Sequence, residues 1–153
     1  MSSNGRILTT HVGSLPRPDD LVEIMFARED GIPVDQSALH ERVEKAVDEA
    51  VGRATEMGRP ILYSPGLDPM EEVATVASIN ILSQVARRAG EYETRLIMPN
   101  RDAIVMTVAQ EVVREAYTEV GRPDLYNPDD IYYTTQSQFG YAASVCGTMM
   151  RER

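Results

Sequence analysis

The sequence predicts an α/β fold: three to four mostly parallel strands alternating with helices, arranged as an open layered sheet or as part of a barrel. Short apolar runs recur at residues 59–64, 95–99 and 131–135. Between them lie stretches of ten or more residues whose apolar positions repeat at three- and four-residue steps. Gly, Pro, Asn and Asp punctuate the joints. Parallel strands need long crossovers, and helices of this length supply them, so the resulting sheet is covered on both faces.

Residues 6–10 (Arg-Ile-Leu-Thr-Thr) have strand character, and His11-Val12-Gly13-Ser14-Leu15-Pro16-Arg17-Pro18 halts it, because glycine and two prolines do not continue regular structure. Residues 19–29 place Leu21, Val22, Ile24, Met25 and Ala27 at helical spacing behind two leading acids, and Gly31-Ile32-Pro33 breaks that helix. A longer helix runs from Asp35, its N-cap, to Gly58, its stop, with Leu39, Val43, Val47, Val51, Ala54 and Met57 along one face. Pro60 suits the very start of the strand at residues 59–64. The next helix opens at Pro69 or Met70, carries Val73, Val76, Ala77, Ile81, Leu82 and Val85, and stops at Gly90. After the strand at residues 95–99, Asp102 caps a helix with Val105, Val108, Ala109, Val112, Val113, Ala116 and Val120 on one broad face, ended by Gly121. Asn127-Pro128-Asp129-Asp130 turns into the strand at residues 131–135, whose Tyr132 and Tyr133 point to opposite faces, and residues 139–150 form the last helix. The chain thus divides into residues 1–34, a joining helix at 35–58 and an α/β module at 59–153.

Fifteen basic residues against 24 acidic ones leave a formal charge of -9, with no basic tract to neutralise phosphates. Nucleic acid is therefore not an expected partner, and an anionic membrane surface would repel the chain. The single cysteine, Cys146, allows no intramolecular disulfide and fits a reducing, cytoplasmic setting. The most apolar window, residues 73–82, is interrupted by Thr75, Ser78 and Asn80, so neither a signal peptide nor a membrane span is expected.

In open parallel sheets, ligands bind beyond the carboxyl ends of the strands. Those ends carry Ser64-Pro65-Gly66, Asn100-Arg101-Asp102 and Thr134-Thr135-Gln136. Arg101 beside a helix N-terminus suits an anion, and Asn100, Thr135 and Gln136 suit a polar ligand. Capping and loop closure are the plainer use of the same residues. No Gly-rich phosphate loop or paired metal-ligand spacing occurs, so neither a nucleotide nor a metal is expected. His40, among Glu41, Arg42 and Glu44, belongs to a solvated face, and Cys146, between Val145 and Gly147, is expected to be a buried structural thiol. Met98, Met106, Met149 and Met150 read as core filler. The alternative for Met149-Met150 is an apolar end open to solvent, a liability for homo-oligomerisation or aggregation.

The run Thr9-Thr10-His11-Val12-Gly13-Ser14-Leu15-Pro16-Arg17-Pro18, with Leu21-Val22-Glu23, Gly31, Pro33-Val34-Asp35 and Ala46-Val47, resembles the start of the cobalamin-independent methionine synthase-like family. That resemblance implies a (β/α)₈ barrel in which zinc activates the homocysteine thiol to accept a methyl group from a folate. It also implies that Gly13 and Ser14 contact the amino-acid substrate and that His11 sits beside it, although a loop histidine held by hydrogen bonds is the plainer use of His11. The resemblance covers roughly the first third of the chain and stops near Gly52. There the family continues into a strand ending in Asp-Gly-Glu, whereas residues 59–66 (Arg-Pro-Ile-Leu-Tyr-Ser-Pro-Gly) lack that acid. The family's zinc ligands, a histidine, two cysteines and a glutamate, cannot be assembled from Cys146, His11 and His40. Four strand-helix units are also only about half of a barrel. The chain is therefore expected to need no cofactor and to be inactive alone as a methyltransferase, with a noncatalytic α/β ligand-binding or assembly module as the alternative.

From about Val47 onward the sequence is similar to something else. Residues 48–60, Ala77-Ser78-Ile79-Asn80-Ile81-Leu82, Arg95-Leu96-Ile97-Met98-Pro99-Asn100-Arg101, Glu115-Ala116-Tyr117 and Gly121-Arg122-Pro123 resemble an uncharacterised α/β domain of unknown function from membrane-anchored prokaryotic proteins. The two resemblances overlap between Val43 and Val51, as a fusion within that helix would produce.

Overall fold

The computed structural model describes residues 19–152. The strand expected at residues 6–10 and the loop at 11–18 lie outside them. Two helices precede the sheet, α1 (Asp19–Glu29) and α2 (Gln36–Glu56). Asp35 caps α2, its carboxylate accepting from the Ser37 amide at 2.9 Å and the Ala38 amide at 3.5 Å. α1 lies against α2 with Leu21 buried, while Asp20 accepts from Arg42 Nε at 2.5 Å and Nη2 at 2.9 Å. That bidentate guanidinium holds the Asp20 carboxyl below its ordinary pKa. Met57, expected on the apolar face of α2, is exposed: it is the C-cap, and Gly58 at φ 62° turns the chain away from the core beyond it.

Strand and helix then alternate through β1 (Ile61–Leu62), α3 (Val73–Glu91), β2 (Leu96–Asn100), α4 (Ala103–Glu119), β3 (Ile131–Tyr133) and α5 (Gln138–Arg151). The strands pair in the order β1-β2-β3 and run parallel, with Ile61 opposite Leu96, Met98 opposite Ile131 and Asn100 opposite Tyr133. The fold is the predicted α/β class, in its open-sheet form. α3 and α4 pack side by side on one face of the sheet, and α5 meets β2. All five β2 residues are buried. Leu96 and Met98 join a core with Ile79, Leu82, Ala86, Val105, Ala109 and Val113, so by alternation Ile97 and Pro99 turn to the face that α5 covers. Among the described residues, β1 and β3 are the edges of the sheet. Both are shorter than the apolar runs that contain them, because Pro60 and Pro65-Gly66 flank one, and the chain from Thr135 onward leaves the other to form the α5 cap.

The inward face of α3 differs from the expected one. Thr75, Ile79, Leu82, Val85, Ala86 and Ala89 are buried, whereas Val76 and Ile81 are exposed and Val73 is 82% exposed. Apolar residues occur on several sides of this helix, so periodicity alone does not select a face; the contact with α4 does. The helix also begins at Val73 rather than at Pro69 or Met70, and Thr75 Oγ1 ties its first turn to the Asp68 carbonyl at 3.2 Å. Gly90 is not its stop. It lies buried inside α3, where a Cβ would stand 2.8 Å from Val120 Cγ2 and 3.1 Å from Tyr117 Cδ1. The helix ends instead through Tyr92 and Glu93, the latter at φ 54°.

At the amino end of the sheet, buried Asp130 accepts from Arg95 Nε at 3.0 Å and 3.1 Å and from Nη2 at 2.5 Å. This fork fastens the residue before β2 to the turn before β3. Arg95 also reaches Glu152, just past α5, at 3.3 Å.

Candidate functional site

Three loops leave the carboxyl ends of β1, β2 and β3, and one side chain gathers them. Arg101 follows β2 directly and donates from Nε to the Gln136 carbonyl and from Nη1 to the Leu67 carbonyl, each at 2.7 Å. It thereby ties the loop after β1 to the loop after β3. Asp102 next to it caps α4, accepting from the amides of Ile104 at 2.8 Å and Val105 at 3.0 Å. Its carboxylate occupies the α4 N-terminus, so an anion at Arg101 competes with both loop closure and a neighbouring negative charge.

Asn100 ends β2 and is fully buried. Its Nδ2 donates to the Met98 carbonyl at 2.9 Å and, more weakly, to the Tyr132 carbonyl at 3.5 Å. Its main-chain carbonyl accepts from Thr134 N at 2.8 Å, extending the pairing of β2 and β3 by one residue. Asn100 Oδ1 has no hydrogen-bond partner among the described residues, and neither has the buried Thr134 Oγ1. Leaving a buried acceptor unpaired costs about 1–3 kcal/mol.

Behind the loops a second network closes the face under α5. Tyr141 donates its hydroxyl to the Pro99 carbonyl at 3.1 Å, which leaves Ser64 Oγ, 2.8 Å away, to donate to the tyrosine oxygen. Burial pushes the Tyr141 pKa up, and the Ser64 bond partly offsets the rise. Tyr63 is raised by burial in the same way, its hydroxyl donating to the Ser78 carbonyl at 2.7 Å. On the far side, Thr135 Oγ1 accepts from Ser137 N at 3.2 Å, and Ser137 Oγ caps α5 through the Gly140 amide at 3.3 Å. Gly140 permits this packing, since a Cβ there would stand 2.9 Å from Thr135 Cγ2.

The structure therefore brings Asn100, Arg101, Thr135 and Gln136 to one end of the sheet. Arg101 meets Gln136 through the main chain, and Thr135 serves the α5 cap. Ser64 and Thr134, named among the strand-end residues, complete the same region with Tyr141. Tyr141 was not singled out in the sequence, where it was indistinguishable from core filling. His11, Gly13 and Ser14 lie outside the described residues. His40 is exposed and meets Glu44 at 3.5 Å. Cys146 is half-buried rather than buried, because the inward stripe of α5 is Tyr141, Val145 and Thr148. Among the described residues no three His, Cys, Asp or Glu side chains are grouped to hold a metal ion, and no helix is long and apolar enough to cross a membrane.

The family described as a domain of unknown function, DUF6754, matches residues 40–153, from the second turn of α2 onward. No match to a methionine synthase-like family accompanies it. No curated protein and no solved structure matches the chain.

Proposed function

Since the chain belongs to that family of unknown function, kinship supplies no activity, and we propose from its residues that it is a noncatalytic α/β module holding a small polar, hydrogen-bond-donating ligand at the carboxyl end of its sheet. The observation that carries this reading is Asn100 Oδ1, a buried acceptor without a partner at the end of the central strand. Ligands of open parallel sheets bind at this end, and a single donor would relieve the desolvation cost of the atom. Arg101 supports the reading by holding two of the three surrounding loops, so that displacing one of its bonds would open the region.

The same reading assigns no methyl transfer to the chain alone. Two histidines and one cysteine in the whole sequence do not furnish the histidine, two cysteines and glutamate that the methionine synthase-like family uses for zinc. An assay with homocysteine, a methylated folate and added zinc should give no turnover; turnover would overturn that part. For the binding part, a panel of small amides, alcohols and amines should be titrated against the full chain by amide NMR. At least one should shift the Asn100 side-chain amide together with the backbone of residues 64–67 and 134–137, and the shift should vanish in Asn100→Leu. If no compound in the panel moves these signals, or if Asn100→Leu responds as the parent does, the site is structural only.

A further inference from the structure

α5 differs from every other helix described in carrying no charge before its last residue. In a chain that is 25% charged, the 20 residues from Ile131 to Met150 contain no Asp, Glu, Lys or Arg. The inward stripe of α5, Tyr141, Val145 and Thr148, is spent on the sheet. The opposite side presents Phe139, Ala143, Cys146 and Met150 at steps of four, three and four residues, which is one stripe along three turns. Phe139 is 87% exposed and Met150 74%.

We propose that this stripe is the contact surface between two copies of the chain, paired antiparallel through α5. Charge selects the occupant. Each copy carries -9, and the outward faces of α2 and α4 are lined with Glu41, Glu44, Glu49, Glu111, Glu115 and Glu119, so two copies meeting there would oppose like charges. The α5 stripe carries no formal charge, so two copies can meet there without that repulsion. The stripe is also self-complementary under a two-fold axis between Ala143 and Cys146. Phe139 then packs on the partner's Met150, a thioether against an aromatic ring, and the small Ala143 and Cys146 let the helices approach at the centre. The two helix dipoles oppose each other in this arrangement, as favoured. A 14-residue helix is about 21 Å long, and such a pairing buries on the order of 1,000 Å² in total, the lower bound for a specific interface. The dimer is accordingly a weak, concentration-dependent one.

Sedimentation velocity on the full chain, from low micromolar to near-millimolar concentration, should show a monomer–dimer equilibrium that Phe139→Asp and Met150→Glu each weaken at least tenfold. Both side chains are exposed, so the variants should melt with the parent, and circular dichroism verifies this. Interaxial distances of about 8–10 Å, less the ~2.3 Å radius on which each Cα lies, put the two Cys146 Cα atoms roughly 6–8 Å apart, at the upper edge of disulfide reach and within that of a short bis-maleimide. That reagent should yield a covalent dimer, and Cys146→Ser should abolish it. A chain that stays monomeric throughout, as when its own residues 1–18 or a different protein cover the stripe, overturns the proposal. So does a dimer that survives the double substitution Phe139→Asp with Met150→Glu.

Discussion

Gly90 sets how closely α3 and α4 approach, and its replacement weighs two opposed effects. Alanine gains up to about 1 kcal/mol over glycine in a helix interior, and less at Gly90, the penultimate residue of α3. Here the added methyl would stand 2.8 Å from Val120 Cγ2 and 3.1 Å from the Tyr117 ring, and overpacking of this kind costs roughly 1–3 kcal/mol. Because Tyr117 is itself 97% buried and has little room to move, the steric cost wins. Gly90→Ala should lower stability by about 1 kcal/mol in urea titration, with the m-value unchanged; an increase would mean that Val120 simply swings aside. The sequence suggested a helix stop at this position because glycine near a helix end most often caps it, and a close helix–helix approach leaves no local trace. The same limit applies at the carboxyl end of the sheet. Asn100, Arg101, Thr135 and Gln136 were legible from their places after strands, but Arg101 bonds the main-chain carbonyl of Gln136, a group every residue possesses. The identity of Gln136 therefore carried no information about that bond.

Elements whose boundaries depend on local chemistry were readable, and those that depend on neighbours were not. Asp35 and Asp102 are caps in the sequence and caps in the structure, because an N-cap needs only a short acceptor two or three residues before the amides it serves. The face of α3 and the lengths of β1 and β3 were set by packing and pairing across the chain. Capping also has an energetic consequence that differs between these helices. α4 buries Val105 in its first turn, so fraying there exposes core, whereas the first turn of α2 is exposed apart from Leu39 at its end. Asp102→Ala should cost about 1–2 kcal/mol of global stability, and Asp35→Ala about 0.5 kcal/mol with amide-exchange protection lost only in the first turn of α2. Equal global losses in the two variants would contradict the argument.

At the scale of the whole molecule, the alternation of strand and helix fixed the layers, since each parallel crossover returns its helix to the sheet, and the open form followed from having only three described strands. The core that results is lined by tyrosines whose burial raises their hydroxyl pKa, and this makes the fold sensitive to alkali. Burial, aided by the nearby negative charge of Asp130, pushes the Tyr117 pKa from 10.0 up to about 12, and burial raises Tyr63 and Tyr141 in the same direction. A group whose folded pKa is raised contributes fully below its unfolded value and loses that contribution as pH climbs to the folded one. The fold should therefore be insensitive to these groups up to about pH 10 and weaken between pH 10 and 12. Each pH unit across that window is worth about 1.4 kcal/mol for Tyr117, which alone should lower stability by about 2 kcal/mol near the top of the range. Urea midpoints followed alongside tyrosinate absorbance should show the decline coinciding with late-titrating tyrosine, and Tyr117→Phe, which removes the ionisation but keeps the ring, should make the slope shallower. A stability flat through pH 11 in the parent, or an unchanged slope in Tyr117→Phe, would mean that these hydroxyls reach water in the folded chain and that the core between α3, α4 and the sheet is looser than its packing indicates.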